Sequence, residues 1–290
     1  FLDISTGEFL LSQGDLEYIA KLLANFNPSE ILIAKQQKKI FNEKFGELYN
    51  LFFLDEWVYN SDFANELIQK QFKTNSIKGF GIKDLNEGVI STAGILHYLS
   101  ETQHHRLSHI TKINRIPIDG HVWLDRFTVR NLEIFHPNNF EGKCLIDVID
   151  NTISPMGGRL LKRWLALPST DKDLISQRHN IVDHFISEDE HRNFVCELLS
   201  SLSDIERLVS KIATKKITPR ELYNLKESLN TIKPLKNKLK KTSCKDLNKL
   251  INSLSSCEDF IKIIDKTLSE NPPVNINCLL YTSPSPRDGW

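Results

Sequence analysis

The sequence predicts an α/β domain followed by a region that is almost wholly helical. Up to residue 107, short apolar runs alternate with segments of helical periodicity, which is typical of an α/β domain. After Pro168 the apolar residues recur at spacings of three and four, which predicts successive helices. The chain has 290 residues, so it is long enough to build two sizeable cores.

Charge and composition narrow the possible classes of protein. The 37 basic and 37 acidic residues give a formal net charge of zero, so bulk charge offers no argument for binding nucleic acid or an anionic membrane. No apolar run reaches the roughly 18 residues that a membrane-spanning helix needs. The five cysteines are scattered without a C-x-x-C pair, which favours a reducing compartment, the cytoplasm, over a disulfide framework.

The first part begins with a β-hairpin. Residues 1–11 alternate apolar and polar side chains around a turn at Thr6 and Gly7. Asp15 is expected to cap the helix that follows, because its carboxylate can accept from a free backbone N–H of the first turn. Further elements follow in alternation: strands at 31–34 and 51–54, and helices at 38–45, 63–72 and 87–102.

The junction into the second part contains two patterns with ordinary interpretations. Gly79 and Gly81 lie in a lone G-x-G pattern, which we interpret as a tight turn rather than a nucleotide loop. His105 and His109 have the i, i+4 spacing of zinc ligands, but no acidic partner accompanies them. We therefore interpret these two, together with His97 and His104, as exposed polar side chains.

Extended segments and a short helix are expected next. Residues 110–124 read as two extended segments around Pro117 and Gly120. Asp125 can cap a short helix over residues 126–134.

The stretch at 147–168 carries the clearest helix signals in the chain. Ser154 is a good N-cap, Pro155 suits the first helical position, and Pro168 ends the helix. The apolar face is expected to be buried between neighbouring helices; it consists of Leu160, Leu161, Trp164 and Leu165. Arg159, Lys162 and Arg163 take the opposite side. Gly157 and Gly158 in the first turn indicate a close neighbour, either a bound phosphate or, as we favour, a tightly packed protein group.

The helices after Pro168 have clear predicted start signals. Four capping boxes are expected, at Ser187 with Glu190, Ser203 with Glu206, Thr218 with Glu221, and Ser255 with Glu258. Seven lysines fall between Lys233 and Lys249, where they could neutralise DNA phosphates. No arginine or aromatic residue is interleaved with them, so we favour a solvated helix surface.

The last thirteen residues break with the composition of the rest. Residues 278–290 are rich in Ser and Pro and resemble the translation of a transposase-type sequencing adaptor. We expect this tail to be a cloning or library artefact, and the chain to be a fragment of a longer protein.

Six motifs in register resemble the MutS family of DNA mismatch repair proteins over essentially residues 1–277. The most specific is D-N-T-I-S-P-M-G-G-R-L-L-K-R-W-L at 150–165. The stretch L-D-R-F-T-V-R-N-L-E-I at 124–134 carries Arg130, Asn131 and Glu133, for which we predict polar contacts that hold the short helix to its neighbours. The remaining motifs include L-D-I-S-T-G-E-F at 2–9 and D-I-E-R-L-V-S-K-I-A at 204–213.

The resemblance implies a division into an incomplete, ribonuclease-H-like connector domain at 1–107 and a core or lever domain at 108–277. It also implies a parent that binds mismatched double-stranded DNA as a homodimer, works with a MutL-type partner, and hydrolyses ATP with magnesium in a C-terminal domain absent here. The family's G-x-x-x-x-G-K-[ST] loop does not occur in the chain, and we expect the family's mismatch-detecting wedge, which carries an F-x-E motif, to lie outside it. Accordingly we expect no catalytic, cofactor or metal site in it, and a structural hub at Ser154, Pro155, Gly157, Arg159, Leu161, Trp164 and Leu165.

Two alternatives remain open from the residues themselves. The first is a nuclease, in which Asp3 holds magnesium with another carboxylate such as Asp55 or Asp62. The second is a helical adaptor unrelated to DNA repair, which composition and periodicity alone would also support.

Overall fold

The computed structural model describes residues 1–47, 49–74, 77–82, 84–102, 107–116, 120–139, 141–240, 242–269 and 272–273. The predicted adaptor tail at 278–290 lies outside these residues. The strands are β1 Leu2–Asp3, β2 Glu8–Leu11, β3 Ile31–Ala34, β4 Leu51–Leu54 and β5 Asn114–Arg115. Helices of the first half are α1 Leu16–Phe26, α2 Lys38–Phe45, α3 Ser61–Phe72, α4 Asn86–Thr102, α5 Arg126–Asn131 and α6 Leu145–Ile149. Those of the second half are α7 Pro155–Ala166, α8 Lys172–Ser187, α9 Asp189–Ser200, α10 Ile205–Ala213, α11 Pro219–Asn230, α12 Ile232–Leu239, α13 Lys245–Ser253 and α14 Glu258–Thr267.

The chain divides into two compact units. The N-terminal unit comprises residues 1–151 and 161–170, and the C-terminal unit comprises residues 152–160 and those from 171 onward. Helix α7 therefore supplies its first half to one unit and its second half to the other. The strands lie in the N-terminal unit, so the predicted order of an α/β part and then a helical part is confirmed.

Two small sheets form in the N-terminal unit. β1 and β2 make the predicted antiparallel hairpin, with Leu2 opposite Phe9, and β2 also pairs in parallel with β5, where Leu10 lies opposite Asn114. A second sheet joins β3 and β4 in parallel. The hairpin turn requires glycine at position 7, because its φ is +77° and an added Cβ would lie 2.6 Å from the carbonyl oxygen of His109.

Apolar side chains form the core of each unit. In the N-terminal unit α3 and α4 pack together against β2, and Phe9, Ile68, Ala93 and Leu96 are almost fully buried there. The C-terminal unit has two smaller clusters, one around Leu208, Leu225 and Leu229, the other around Leu239, Leu247 and Ile251. Each cluster joins neighbouring helices, as the apolar periodicity predicted.

The extended segments and the short helix differ from expectation. Of residues 110–124, only β5 and one bridge between His121 and Ser169 have strand pairing within the described residues. Helix α5 begins at the predicted cap, where Asp125 Oδ1 accepts from Thr128 N at 2.7 Å, but it ends at Asn131 instead of continuing to Ile134. The helix cannot continue because Glu133 has a left-handed backbone, with a φ of +47°.

Only one of the four predicted capping boxes forms. Thr218 and Glu221 exchange the expected bonds at the start of α11. Ser187 instead ends α8, where its hydroxyl donates to the carbonyl of Asp183, and α10 is capped by Asp204 rather than by Ser203. The N-cap residue of α14 is Cys257, so Ser255 lies outside that cap.

Candidate functional site

The first turn of α7 is built as its sequence predicted. Ser154 Oγ accepts from the backbone N–H of Gly157 at 3.2 Å, and Pro155 is the first helical residue. A Cβ at Gly157 would lie 3.2 Å from Ser154 Oγ and 3.4 Å from the Cβ of Thr152. The close neighbours of this glycine are therefore protein side chains, in agreement with the interpretation that we favoured over a bound phosphate.

Arg159 ties the first half of α7 to the start of α10 within the C-terminal unit. Its two terminal nitrogens donate in parallel to the carboxylate oxygens of Asp204, at 2.8 and 2.7 Å. Its Nε also donates to Glu206 Oε2 at 2.9 Å. The side chains of Arg159 and Asp204 are 27% and 15% exposed, so this planar pair is largely shielded from water.

The same pairing shifts the pKa of both groups. Hydrogen bonds from Arg159 hold the pKa of Asp204 below its ordinary value, although partial burial opposes the shift. The pKa of Arg159 is raised, chiefly by the hydrogen bond to Asp204. Asp204 also caps α10 by accepting from Arg207 N at 3.3 Å, so one carboxylate fixes both the guanidinium and the helix start.

The second half of α7 makes its own ion pair within the N-terminal unit. Arg163 Nη2 donates to the carboxylate of Glu8 in β2. Sequence reasoning placed Arg159 and Arg163 on the polar side of the helix but assigned neither a partner. One signal could have suggested a partner for Arg159. Asp204 is an acidic residue of the type that caps helices, so its carboxylate has a fixed position at the start of a helix.

The prediction that the apolar face of α7 is buried is wrong for this chain. Trp164 is 39% exposed and Leu160 is 46% exposed, while Leu161 and Leu165 are half-buried. The reason is tertiary, since within the described part of the chain no helix or strand packs extensively against α7. The amphipathic pattern specifies a helix and an apolar face, but it does not supply the surface that covers that face.

The three polar residues of the 124–134 motif behave differently from one another. Glu133 makes a polar contact within its own turn, because its Oε1 accepts from the backbone N–H of Asn138 at 2.7 Å. Its carbonyl also accepts from Leu145 N at 2.7 Å, which joins this turn to α6. Arg130 and Asn131 are exposed, and neither side chain bonds a described residue, so the prediction is wrong for them.

A cleft of about 460 Å³ opens beside Arg130 in the N-terminal unit. Its lining comes from the end of α1, the turn before β4, α5 and the segment after α5. The polar lining residues include Arg126, Arg130, His136, Asn27, Asn50 and Asn138. Sequence reasoning missed this cleft, because its walls come from three distant parts of the chain.

The four histidines between 97 and 109 were expected to be exposed, and the structure describes two of them. His104 and His105 lie outside the described residues. His97 and His109 are half-buried rather than exposed: the ring of His97 lies 5.1 Å from that of Trp57, and His109 Nε2 lies 2.8 Å from the carbonyl oxygen of Ile4. These contacts are structural, and the described residues contain no group of three or more His, Cys, Asp or Glu side chains placed to hold a metal ion.

Several lysines between 233 and 249 have partners within the C-terminal unit. Lys236 Nζ donates to the carbonyl of Leu254 at 2.6 Å, and Lys238 pairs with Glu190. Lys249 pairs with Asp246 at 3.1 Å. These bonds favour the solvated helix surface over a track for DNA phosphates.

The carboxylates of the nuclease alternative are engaged in other contacts. Asp3 Oδ1 accepts from both the backbone and the hydroxyl of Ser5, while Asp55 pairs with Lys35 at 2.7 Å. Asp3 lies in the sheet formed by β1, β2 and β5, whereas Asp55 follows β4 in the other sheet. The nuclease alternative gains no support from them. Among the described helices, none combines the length and the apolar character that crossing a membrane requires.

Two family models together match most of the chain. The model described as MutS domain II matches residues 1–111, and the model described as MutS domain III matches residues 127–281. These ranges follow the order of the motifs found in the sequence. The compact units are divided elsewhere, so the boundary at residue 107 stays a prediction.

Curated relatives are similar over nearly the whole chain. The DNA mismatch repair proteins MutS of Flavobacterium psychrophilum and Flavobacterium johnsoniae are each 50% identical to it over 277 residues, which is 96% of the chain. The MutS protein of Christiangramia forsetii is 50% identical over 276 residues. In each case the matched part is 32% of the relative, so the chain spans about a third of the length of these relatives.

Proposed function

Because the chain belongs to the MutS family, we propose that it forms the connector and core parts of a larger DNA mismatch repair protein. The observation that carries this proposal is the similarity over 277 residues, which runs through both family domains without a break in their order. The relatives that share it are named DNA mismatch repair proteins. The helical adaptor unrelated to repair loses its basis, since it rested on composition and periodicity alone.

The proposed role of this part is mechanical. In the parent protein it would couple ATP-dependent movements to the grip on mismatched double-stranded DNA, while other parts of the protein bind the DNA. Helix α7 supports the proposal, because Arg159 anchors its first half in one unit and Arg163 anchors its second half in the other. Each half of α7 is thus held by its own ion pair within its own unit, and a mechanical role requires such fixed elements.

The remaining properties follow from family membership and are part of the proposal. The parent is a homodimer in the cytoplasm that binds ATP and magnesium at a P-loop and recruits a MutL-type partner. Catalysis belongs to that ATP site, and the residues of this chain act by position alone.

The proposal is tested in the full-length protein with Arg159→Ala, and with Arg220→Ala as the matched control. Arg220 is an exposed arginine at the start of α11 that makes no ion pair with a described residue. ATP-dependent release from a mismatched duplex is measured well below the melting temperature, together with ATP hydrolysis in the absence of DNA. We expect Arg159→Ala to slow release at least fivefold and to leave hydrolysis without DNA near the wild-type rate.

Two results would contradict the proposal. Equal binding of mismatched and matched duplexes by the full-length protein would contradict the proposed role in mismatch repair. Release at the wild-type rate in both variants would contradict the proposed lever role of α7 but would leave the family assignment intact.

A further inference from the structure

The cleft beside α5 combines the size and the charge of a binding site for a small anion. Its volume of about 460 Å³ is within the roughly 300–1,000 Å³ that small-molecule sites occupy. The lining includes Arg126, Arg130 and His136, while none of its lining residues carries a carboxylate. All the lining residues belong to the N-terminal unit.

The positive charge in the cleft is not neutralised by the surrounding described residues. Arg126 Nη1 donates to the backbone carbonyl of Phe45 at 3.3 Å, which orients the guanidinium and leaves its other N–H groups available. Arg130 bonds no described side chain, and neither arginine forms an ion pair with a described residue. Two guanidinium groups one helical turn apart can together bind a phosphate, since each presents a planar fork of donors.

The other walls suit a planar ring with polar edges. Tyr49 and Phe135 contribute aromatic surface, and Asn50 and Asn138 contribute amide groups that can donate and accept. Asn138 is held in place, because its backbone N–H donates to Glu133 Oε1 at 2.7 Å and its Nδ2 donates to the carbonyl of Arg130 at 3.3 Å. Part of the cleft is therefore fixed before any ligand binds.

We propose that this cleft binds a small phosphate monoester attached to an aromatic heterocycle, of which a nucleoside monophosphate is the simplest representative. The guanidinium groups of Arg126 and Arg130 bind the phosphate. The aromatic side chains of the cleft pack against the ring, and the asparagine amides form hydrogen bonds with its polar edge. Burial of the ring supplies the apolar part of the affinity, and the paired guanidinium groups supply selectivity for a dianion.

The experiment is a calorimetric titration of the 290-residue chain with adenosine 5′-monophosphate. Adenosine and inorganic phosphate are titrated separately as the two halves of the ligand. Arg130→Gln and Arg126→Gln remove one donor fork each, and Arg220→Gln is the control for loss of one exposed arginine. Circular dichroism melting of each variant verifies that the fold is retained.

We expect saturable binding of adenosine 5′-monophosphate, at least tenfold weaker binding in Arg130→Gln and Arg126→Gln, and unchanged binding in Arg220→Gln. Equal binding by all the folded variants would overturn the assignment of the two arginines. Binding of inorganic phosphate as tight as that of the nucleotide would overturn the aromatic part of the ligand. Absence of saturable binding by the wild-type chain would overturn the site itself.

Discussion

Arg159 and Asp204 form a bidentate ion pair in which the carboxylate also caps the first turn of α10. The pair joins residues on α7 and α10 that are far apart in sequence and shields both charges from water. Its geometry is that of the stronger class of protein ion pairs, because two parallel hydrogen bonds restrict both groups. Removing either member takes away both parallel bonds and leaves the other partly desolvated, with only Glu206 remaining for Arg159 and only Arg207 for Asp204.

Loss of the guanidinium is therefore expected to destabilise the C-terminal unit. Arg159→Ala should lower the free energy of unfolding by about 1–2 kcal/mol, the range for a partly shielded bond between charged groups. Arg159→Lys should recover less than half of the loss, because an ammonium cannot make two parallel bonds. Urea unfolding measures both changes, and Arg220→Ala should stay within about 0.5 kcal/mol of the wild type. Equal stabilities of Arg159→Ala and Arg220→Ala would refute the expectation.

The stabilisation from Asp204 is expected to depend on pH. Its pKa in the folded chain is below the ordinary value, so its contribution is complete above about pH 4–5 and is lost as pH falls through the lowered pKa. Asp204→Asn can still cap α10 but cannot carry the charge. The difference in urea midpoint between the chain and this variant should shrink from pH 6 to pH 2.5. A difference that stays constant over that interval would show that the ion pair makes no pH-dependent contribution.

The capping box at α11 should contribute measurably to stability. Thr218→Ala removes the hydroxyl that accepts from Glu221 N and should cost about 1 kcal/mol, the usual effect of losing a cap. Ser187→Ala is the matched control, since its hydroxyl bonds the carbonyl of Asp183 at the end of α8 and caps no helix start. It should change stability by less than about 0.5 kcal/mol. Equal losses in the two variants, measured by thermal unfolding, would count against the assigned cap.

Gly7 should tolerate no side chain. Gly7→Ala forces a Cβ into a left-handed backbone, at about 1–2 kcal/mol, and places it against the carbonyl of His109, which adds to the loss. Gly79→Ala is the control, because no atom lies within 4 Å of the added Cβ and its backbone is not left-handed. The control should be neutral or slightly stabilising, as for other compatible glycine sites. If both variants unfold at the wild-type denaturant concentration, the hairpin turn differs from the one described here.

Trp164 should matter less in this chain than a buried tryptophan would. With 39% of the residue exposed, Trp164→Ala should cost less than the ~3–5 kcal/mol typical of buried aromatic residues. Leu225 is 1% exposed, so Leu225→Ala should fall within the usual ~2–5 kcal/mol and serves as the reference. A loss for Trp164→Ala that exceeds the loss for Leu225→Ala in chemical unfolding would show that the indole is covered after all.

Local rules predicted much of the fold and little of the candidate site. The caps at Asp15, Asp125 and Thr218 were predictable, because each bond joins residues three apart in sequence. The cap at Ser203 was wrong by one residue, since the neighbouring Asp204 offers a charged acceptor that Arg159 also holds.

Features that depend on distant residues could not be predicted in this way. Exposure of Trp164 is set by what packs on α7, which a periodic pattern does not specify. The cleft collects side chains from α1, the turn before β4 and the region of α5, so no single stretch carries its signal. The partners of Arg159 and Arg163 were likewise missed, because an ion pair between elements far apart in sequence produces no characteristic residue spacing.

The pairing of β2 with β5 sets the order in which the chain can fold during synthesis. Leu10 lies opposite Asn114, and His121 pairs with Ser169, so segments far apart in sequence are joined by backbone pairing within the N-terminal unit. The hairpin of β1 and β2 is synthesised before these later segments, so one edge of β2 has no partner strand until they emerge. Such long-range closure slows folding and prolongs the exposure of an unpaired strand. Nascent chains halted before residue 114 should therefore depend on chaperones more than chains halted after residue 170.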